Sequence, residues 1–221
     1  MGPGKLWPDP EPDTYSLERC LRQKGYKWIA GLDEVGRGPL AGPVVAACVI
    51  LGEKCDYSIY VDSKIINAET RSRLYSELQN NGASISVGVV SETDIDRLNI
   101  LQASLMAMKR AVNALPTQPD FLLVDGNQPI PLSIPQQTLV KGESKSASIA
   151  AASIVAKVVR DDLMGQYHLQ FPEYNFKQNK GYATLEHRQA IRTHGPCKIH
   201  RQSFKCVKEF IAKSKKMLNI F

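Results

Sequence analysis

Three carboxylates stand where two short apolar segments of the chain end. Asp33 and Glu34 follow an apolar run that begins at Trp28, and Asp125 closes another that begins at Phe121. An acid pair at a strand end is ordinary by itself, but strand-terminal acids on neighbouring strands of an open mixed sheet converge on one crevice. Converging carboxylates raise their pKa values, pair with cations or bind metal. Oxygen ligands without cysteine or paired histidines suit two Mg²⁺ or Mn²⁺ ions.

A glycine-rich turn, GRG at residues 36–38, follows the acid pair directly. Its glycines would let backbone amides approach a sugar or phosphate, and its arginine supplies a cation. The segments VDSK and NKGY each add a lysine, and NKGY adds an aromatic ring that can stack on a sugar or base. Each of these features alone is more often a plain turn or solvated surface. The predicted substrate-binding residues are Gly36, Arg37, Gly38, Lys64, Lys180 and Tyr182.

Positive charge is concentrated towards the end of the chain. The formal net charge is +6, and residues 177–216 hold eleven lysines and arginines against two glutamates, which leaves the remaining chain at −3. A dense set of cations attracts a nucleic-acid backbone. Bare carboxylates would repel a phosphate unless divalent ions reversed the local charge. The pattern therefore favours a metal-dependent enzyme that acts on nucleic acid.

Composition narrows the class of protein. Apolar residues make up 43% and charged residues 23% of the 221 residues, which is typical of a folded domain. No apolar run reaches the roughly 20 residues of a membrane span, and the first 13 residues lack the apolar stretch of a signal peptide. The five cysteines are scattered and odd in number, which favours reduced thiols. We expect a cytoplasmic monomer with no membrane partner.

The periodicity predicts the strands that must position these groups. An antiparallel meander is expected over residues 28–33, 43–51 and 84–90, because short apolar or alternating runs are separated by turns. Parallel strands are expected at 121–125 and 137–141, the first being almost wholly apolar.

Helices are predicted between and after these strands. A short helix should begin at Asp13 or Thr14, and further helices are expected at 69–80, 144–170, 184–193 and 204–218. Another helix should lay one apolar stripe on the sheet, formed by Leu98, Leu101, Leu105, Met108 and Val112. The many small residues of the segment 144–170 would let that long helix lie unusually close to a neighbouring backbone.

Taken in order, these segments resemble the type 2 ribonuclease H family over roughly residues 28 to 205. The resemblance rests on GLDEVGRGPLAGPVV, VDSK, LNILQASLMAMKRAV, LLVDGN, VKGESKSASIAAASIVAKVVRDDLM, NKGY and HRQSF. It implies an α/β ribonuclease H fold, with a central mixed five-stranded sheet flanked by helices and a C-terminal helical extension. It also implies hydrolysis of the phosphodiester 5′ to a ribonucleotide, leaving 3′-hydroxyl and 5′-phosphate ends.

The resemblance also assigns roles. Asp33, Glu34 and Asp125 are similar to three of the family's four metal ligands, the GRG turn to the element that senses the ribose 2′-hydroxyl, and Tyr182 to a ring stacked beside the junction. The fourth acid is usually an aspartate, whereas this chain has Glu143. We expect metal binding to be retained, with a shift in preference towards the larger Mn²⁺.

A second departure from the family pattern is Ile65, where the family often has a lysine after the one that matches Lys64. One phosphate contact would then be missing. The related type 3 enzymes carry an extra N-terminal domain, for which the segment before Trp28 is short, so type 2 is expected.

The expected organisation is a partly helical lead-in at 1–27, a catalytic domain at 28–175 and a basic helical substrate-binding region at 176–221. The expected partners are RNA–DNA hybrids and DNA that contains ribonucleotides, with a sliding clamp as a candidate for the tail. Two alternatives stay open: a resolvase- or transposase-like DNA nuclease on a related fold, and a non-enzymatic nucleic-acid-binding module. The first would cut all-DNA junctions, and the second would tolerate Asp125→Asn.

Overall fold

A mixed five-stranded sheet forms the centre of the computed structural model, which describes residues 13–61 and 63–218. Residues 1–12 of the predicted lead-in, Asp62 of the VDSK segment and residues 219–221 of the predicted C-terminal region lie outside the described residues. The strands are β1 (Ile29–Val35), β2 (Val44–Ile50), β3 (Ser84–Val90), β4 (Phe121–Asp125) and β5 (Gln136–Leu139).

The order across the sheet is β3-β2-β1-β4-β5. β2 runs antiparallel to both β1 and β3, whereas β4 runs parallel to β1 and β5 parallel to β4. The predicted antiparallel meander and the later parallel strands are therefore confirmed. β1 continues past Asp33 because Glu34 and Val35 still pair with Ala46 and Val45 of β2.

Helices cover both faces of this sheet, as expected for an α/β fold. Most of the predicted helices are present within a few residues of their expected bounds. The helices are α1 (Ser16–Gln23), α2 (Ala68–Asn80), α3 (Glu92–Leu98), α4 (Ile100–Ala114), α5 (Ala147–Gln170), α6 (Phe176–Asn179), α7 (Leu185–His194) and α8 (Lys205–Leu218). Within the described residues, no helix is both long and apolar enough to cross a membrane.

The leucine stripe predicted from Leu98 onwards is only partly correct. Asn99 adopts a φ of 76°, ends α3 and caps α4 with its side chain, so the segment forms two helices. Leu101 and Leu105 stay partly exposed. The face of α4 that is buried consists mainly of small residues: Ala103, Ser104, Ala107, Met108, Ala111 and Val112.

The buried face of α4 differs from the predicted leucine face because α4 and β3 approach each other closely. A Cβ added at Gly88 of β3 would lie 2.0 Å from the carbonyl oxygen of Ala107, so only small side chains fit between this helix and the sheet. The 3.6-residue period of the leucines could not reveal that constraint, because it depends on a glycine in another element.

The predicted close packing of α5 is confirmed on the opposite face. A Cβ added at Gly31 of β1 would lie 2.1 Å from the carbonyl carbon of Ser148, so the first turn of α5 rests on the backbone of β1. The same turn is capped from the lead-in, since Glu18 of α1 accepts hydrogen bonds from the hydroxyl of Ser146 (2.6 Å) and the amide of Ser148 (3.0 Å). The N-terminal helix thereby helps to anchor α5.

The C-terminal helices pack on the loop that follows β1. A separate apolar cluster joins this loop to α5, α7 and α8, and it includes Leu40, Ala41, Met164, Tyr174, Phe176, Ile191, Ile199 and Val207. The loop between β1 and β2 therefore packs against the helices of the basic C-terminal part of the chain.

Candidate active site

The strand register places the predicted acids beside one another. Leu32 of β1 pairs with Val124 of β4, so Asp33 and Asp125 follow on adjacent parallel strands. Glu143 lies in a 3₁₀ turn, Gly142–Ser144, which directly follows β5. A carboxylate oxygen of Asp125 accepts a hydrogen bond from the amide of Gly142 at 2.7 Å, which ties that turn to β4.

Electrostatic repulsion between these acids is strongest at Asp33. Its side chain is buried, and burial together with the charges of Glu34, Asp125 and Glu143 raises the pKa of Asp33 well above its ordinary value. Burial likewise raises the pKa of Asp125, with Glu143 adding to the shift. The strand ends thus gather negative charge that the surrounding protein compensates only in part.

Two cations moderate the cluster from its edges. Arg37 donates to Glu34 at 3.0 Å, although burial still raises the pKa of Glu34. The Lys64 ammonium donates to Glu143 at 2.8 Å. Burial opposes ionisation of Glu143, but the hydrogen bond and charge of Lys64 hold its pKa below the usual value. Lys64, predicted as a phosphate contact, is therefore also a partner of the fourth acid.

A cleft of about 400 Å³ opens in front of the acids. Asp33, Glu34 and Asp125 line it together with two of the predicted substrate-binding residues, Lys64 and Tyr182. The sequence analysis did not identify the other lining residues, which are Val35, Ser63, Arg71, Ser153 and Lys157. Two of these are the cations Arg71 and Lys157, so the lining of the cleft carries positive as well as negative side chains.

These additional cations come from helices that cross above the cleft. Arg71 of α2 donates to the carbonyl of Ser63 at 2.8 Å, and Lys157 of α5 donates to Asp161 at 2.7 Å. The spacing of Lys157 and Asp161 is that of a helical ion pair, but no feature of the sequence indicates which way the pair faces. Their place in the cleft follows from the packing of α2 and α5.

The donor set suits a hard divalent cation, although the acids are not gathered into a finished coordination shell. Within residues 13–61 and 63–218, no three histidine, cysteine, aspartate or glutamate side chains converge closely enough to hold an ion. One oxygen of Glu34 is buried and has no hydrogen-bond partner in that part of the chain. An orphaned carboxylate oxygen beside the repelling Asp33 and Asp125 fits Mg²⁺ or Mn²⁺, which favour oxygen ligands.

The GRG turn lies at the rim of the same cleft. Gly36 has a φ of +97°, and a Cβ there would lie 2.3 Å from Nε of the buried Arg160. Arg37 and Gly38 are exposed, and a Cβ at Gly38 would be 3.7 Å from the ring of Tyr182. A side chain at Gly38 would therefore touch the tyrosine ring, so the turn and the ring lie close together.

Lys180 occupies a different position from the other predicted contacts. Its backbone is left-handed, with a φ of 52°, and its ammonium lies 3.4 Å from the carbonyl of Asp161 on α5. Burial lowers the pKa of this ammonium. Lys180 thus lies against α5 and is not one of the residues that line the cleft, while its backbone is part of the turn that carries Tyr182.

A larger hollow, of about 780 Å³, lies at the other end of β1. Its walls include Arg22, Lys27, Lys54 and the half-exposed Trp28, and it contains one acid, Glu53. This hollow has a single carboxylate between several cations, so it lacks both the repulsion between acids and the set of possible metal ligands found in the cleft. The candidate active site is therefore the cleft at the carboxyl ends of the strands.

Comparison with known proteins identifies the family. The family model described as Ribonuclease HII matches residues 30–207. A Ribonuclease HII from Desulfotalea psychrophila is 54% identical over 202 residues, which is 90% of each chain. Another from Syntrophus aciditrophicus is 53% identical over 205 residues, covering 93% of this chain and 96% of the relative.

Solved structures show the same fold. Ribonuclease H2 from Pyrococcus horikoshii OT3 matches with a TM-score of 0.72 and 24% identity, over 86% of this chain and all of that one. RNase HII of Archaeoglobus fulgidus, solved as a complex with PCNA, matches at 0.69 with 22% identity, over 82% and 96%. Bst-RNase HIII, solved with Mn²⁺, matches at 0.65 with 21% identity, over 86% and 70%.

These relationships confirm the expected type 2 family and the five-stranded ribonuclease H-like sheet, and they do not favour the resolvase- or transposase-like alternative. The chain belongs to the ribonuclease HII family and is a hydrolytic endoribonuclease.

Proposed function

We propose that this endoribonuclease hydrolyses the phosphodiester 5′ to ribonucleotides embedded in duplex DNA, as well as the RNA strand of RNA–DNA hybrids. The observation that carries the proposal is the cleft itself, which is lined by Asp33 near the end of β1, by Asp125 at the end of the adjacent parallel strand β4, and by Tyr182. The products would carry 3′-hydroxyl and 5′-phosphate ends. The biological role would be removal of ribonucleotides during DNA replication and repair.

The four acids Asp33, Glu34, Asp125 and Glu143 would hold two divalent ions, Mg²⁺ or Mn²⁺. Such ions supply an activated water and neutralise charge that develops on the phosphate and the leaving oxygen. The Mn²⁺ present in the related Bst-RNase HIII structure supports this choice of metal. Hydrogen-bond partners such as the Gly142 amide keep Asp125 oriented, and orientation of the ligand oxygens is what the protein contributes.

The cations of the cleft would bind and orient the scissile strand. Lys64, Arg71 and Lys157 line the cleft and would pair with phosphates on either side of the cut. Lys64 would also keep Glu143 ionised, since a hydrogen bond from its ammonium favours the charged carboxylate. With Ile65 exposed beside it, the segment offers one lysine at this point.

Selection of the ribose would come from the rim of the cleft. The GRG turn at 36–38 would donate to the 2′-hydroxyl, and Tyr182 would stack beside the sugar at the junction. A deoxyribose would leave those polar groups without partners, and unpaired polar groups in a desolvated site are costly. Selectivity for ribonucleotides would follow from that difference.

The region 176–221 would hold the duplex away from the cut. Arg188 and Arg192 of α7 and Lys205 of α8 line a hollow of about 370 Å³, with Glu209 as its one acid. Three cations on two neighbouring helices suit a phosphate backbone. The division into a catalytic domain at 28–175 and a substrate-binding region at 176–221 is part of this proposal.

The remaining properties extend the proposal to the cell. We infer a monomer that acts in the cytoplasm, in keeping with five cysteines that form no disulfide. A sliding clamp would bind the end of the chain, which is supported by the complex of the Archaeoglobus fulgidus enzyme with PCNA.

A panel of duplex substrates tests the proposal. With Mg²⁺ or Mn²⁺, we expect cleavage 5′ to a single ribonucleotide and cleavage of an RNA–DNA hybrid, and no cleavage of a matched all-DNA duplex or four-way junction. Chelation by EDTA should abolish both reactions, and added metal should restore them. Cleavage of the junction alone, or activity that survives chelation, would overturn the proposal.

A further inference from the structure

The segment 199–201 is hydrogen-bonded through its backbone to the loop that follows the GRG turn. The amide of Gly42 donates to the carbonyl of Ile199 and the amide of Arg201 to that of Leu40, both at 2.8 Å, around a bridge between Ala41 and His200. His200 and Arg201 are neighbours in this segment, and both are buried. From this shared anchor, their side chains extend towards two different parts of the cleft rim.

Arg201 holds the GRG turn from beneath. Its guanidinium donates to the carbonyls of Gly36 (2.6 Å), Arg37 (3.0 Å) and Gly42 (2.8 Å). In a trans peptide the N–H points opposite to the C=O, and no cis peptide is present in the described residues. The Arg37 and Gly38 amides are therefore turned away from Arg201.

These two amides are available as donors. Both residues are exposed, and no hydrogen-bond partner for either amide occurs in the described part of the chain. A guanidinium with several fixed donors is suited to hold adjacent carbonyls in one orientation. The arginine thus determines the direction in which the turn presents its amides.

His200 acts on the other side of the gap through His187. The ring of His187 contacts the carbonyl of Tyr182 at 2.8 Å through Nδ1 and His200 at 3.0 Å through Nε2, and the amide of Cys197 donates to Nδ1 of His200 at 2.9 Å. A carbonyl only accepts and an amide only donates. The protons must therefore lie on Nδ1 of His187 and Nε2 of His200.

This assignment produces one directed chain of hydrogen bonds from Cys197 through both imidazoles to the carbonyl of Tyr182. It requires both rings to be neutral. Burial lowers the pKa of His187, and burial with the neighbouring His187 lowers that of His200 to about 4, so neither ring is charged at neutral pH. The backbone of Tyr182 is thus held by a chain with a single proton arrangement.

We propose that His200 and Arg201, with His187, are positioning residues that set the gap between the GRG amides and the ring of Tyr182. The proposal rests on the proposed function, in which these two elements contact the ribonucleotide. The gap is narrow, because a Cβ at Gly38 would be 3.7 Å from the tyrosine ring. Displacement of either side by about an ångström would weaken recognition of one hydroxyl group.

The role proposed for the histidines, here called the histidine half of the proposal, is tested by a pair of variants at His187. In His187→Asn the amide nitrogen replaces Nδ1 and can still donate to Tyr182, whereas in His187→Gln the polar group is placed near Nε2 and that donor is lost. His187→Asn removes one methylene more than His187→Gln from this buried site, so thermal unfolding should show at least as large a loss of stability in the Asn variant, and a larger rise in KM in the Gln variant would not come from lost packing. We expect KM for a duplex with one ribonucleotide to rise about fivefold in His187→Gln and less than twofold in His187→Asn.

A double-mutant cycle shows whether the effect passes through Tyr182. In a Tyr182→Ala background the change His187→Gln should alter KM by less than twofold, because the ring that it positions is gone. An unchanged fivefold effect in that background, or equal effects of the Asn and Gln variants, would overturn the histidine half.

The role proposed for Arg201, here called the arginine half of the proposal, is tested with Arg201→Lys. Lysine keeps the positive charge but lacks the planar set of donors that binds several carbonyls at once. Affinities for a ribonucleotide-containing duplex and for an all-DNA duplex are compared by fluorescence anisotropy in an Asp125→Asn background. We expect the ratio of the two affinities to fall about tenfold, with all-DNA binding changed less than twofold. Arg110→Lys, which alters a surface arginine that donates to the carbonyl of Val89, is the control and should leave both affinities unchanged.

A parallel loss of both affinities in Arg201→Lys would overturn the arginine half and would indicate a general structural role. Failure of the proposed function has a different signature. In that case the unmodified enzyme would not prefer the ribonucleotide-containing duplex at all, whatever the behaviour of the variants.

Discussion

Two regions of the molecule differ in how their charged and polar groups are compensated. One is the carboxylate cleft, and the other, here called the rim brace, consists of Arg160, His187, His200 and Arg201. In the cleft, like charges are held together, and burial, with repulsion from the neighbouring acids, raises the pKa of Asp33. In the rim brace, all three nitrogens of Arg160 and of Arg201 donate to backbone carbonyls. The proposed metal ions would complete the cleft, whereas the guanidinium nitrogens of the rim brace already have partners within the described residues.

The difference indicates how stability and function are divided. A cluster of repelling acids costs folding free energy and is retained for chemistry. Burial and the charge of Arg160 lower the pKa of Arg201 to about 9, so these arginines are costly to bury, but their hydrogen bonds to fixed carbonyls compensate for that cost and removal of one would leave buried carbonyls without donors. Changes in the cleft should therefore reduce activity without unfolding the protein, and changes in the rim brace should do both.

The largest expected effect is that of Asp125→Asn. The isosteric amide can still accept from Gly142, but it removes a ligand charge from the cleft. We expect kcat on a ribonucleotide-containing duplex to fall at least about a thousandfold, while the midpoint of thermal unfolding stays the same or rises because repulsion of Asp33 is relieved. Activity within tenfold of the unmodified enzyme would contradict the division and would show that catalysis does not depend on the carboxylate of Asp125.

The contrasting change in the rim brace is Arg160→Met. The buried guanidinium donates to the carbonyls of Ala41 (3.2 Å), Pro43 (3.0 Å) and Lys180 (3.0 Å), and a methionine would leave those groups without their donors. We expect the free energy of unfolding to fall by about 3 kcal/mol. Urea unfolding measures it, with Arg110→Met as a surface control, and a loss below about 1 kcal/mol would show that the carbonyls find other partners.

Lowering the pH should change the stability contributed by the two regions in opposite directions. The pKa of His200 is about 4 in the folded protein, below its ordinary value of 6.5, so the unfolded chain takes up the proton first. The stability contributed by neutral His200 is complete above about pH 6.5 and is lost as pH falls towards 4, with a loss of about 3 kcal/mol by pH 4.5. Asp33 behaves oppositely, because its raised pKa makes the folded protein take up the proton first and gain stability as pH falls.

Urea unfolding between pH 7.5 and 4.5 measures this balance. Asp33→Asn removes the opposing contribution of the cleft, so its stability should decline more steeply with acid than that of the unmodified protein. Equal slopes for the two proteins, or a rise in stability of the variant as pH falls, would contradict the assignment of opposite signs.

The smallest expected effect is that of Glu143→Asp, which shortens the fourth acid by one methylene. The carboxylate would be drawn away from Lys64, whose ammonium is 2.8 Å from it, and the spacing of the ligand oxygens would change. We expect the ratio of activity in Mn²⁺ to activity in Mg²⁺ to fall by up to about tenfold, with little change in unfolding free energy. An unchanged ratio would reject the role of Glu143 in metal preference.

Local patterns predicted the cleft better than they predicted the packing of the helices. Asp33, Glu34 and Asp125 could be found because each follows an apolar run, and such runs end where a sheet ends. The buried face of α4 was predicted only in part, with Met108 and Val112 correct, because the leucine period says nothing about Gly88, whose missing side chain lets small residues of the helix approach the sheet. Arg71 and Lys157 were missed because the direction of a surface cation depends on how its helix is docked.

The sequence by itself determined the strands, the acids at their ends and the family to which the chain belongs, since these depend on neighbouring residues and on motifs in fixed order. Only the tertiary structure decided the rim brace. Arg201 reaches the carbonyl of Gly36 across 165 positions of the chain, and His187 reaches His200 across 13. Hydrogen bonds between such distant residues leave no periodicity in the sequence, because they exist only once separate elements have packed together.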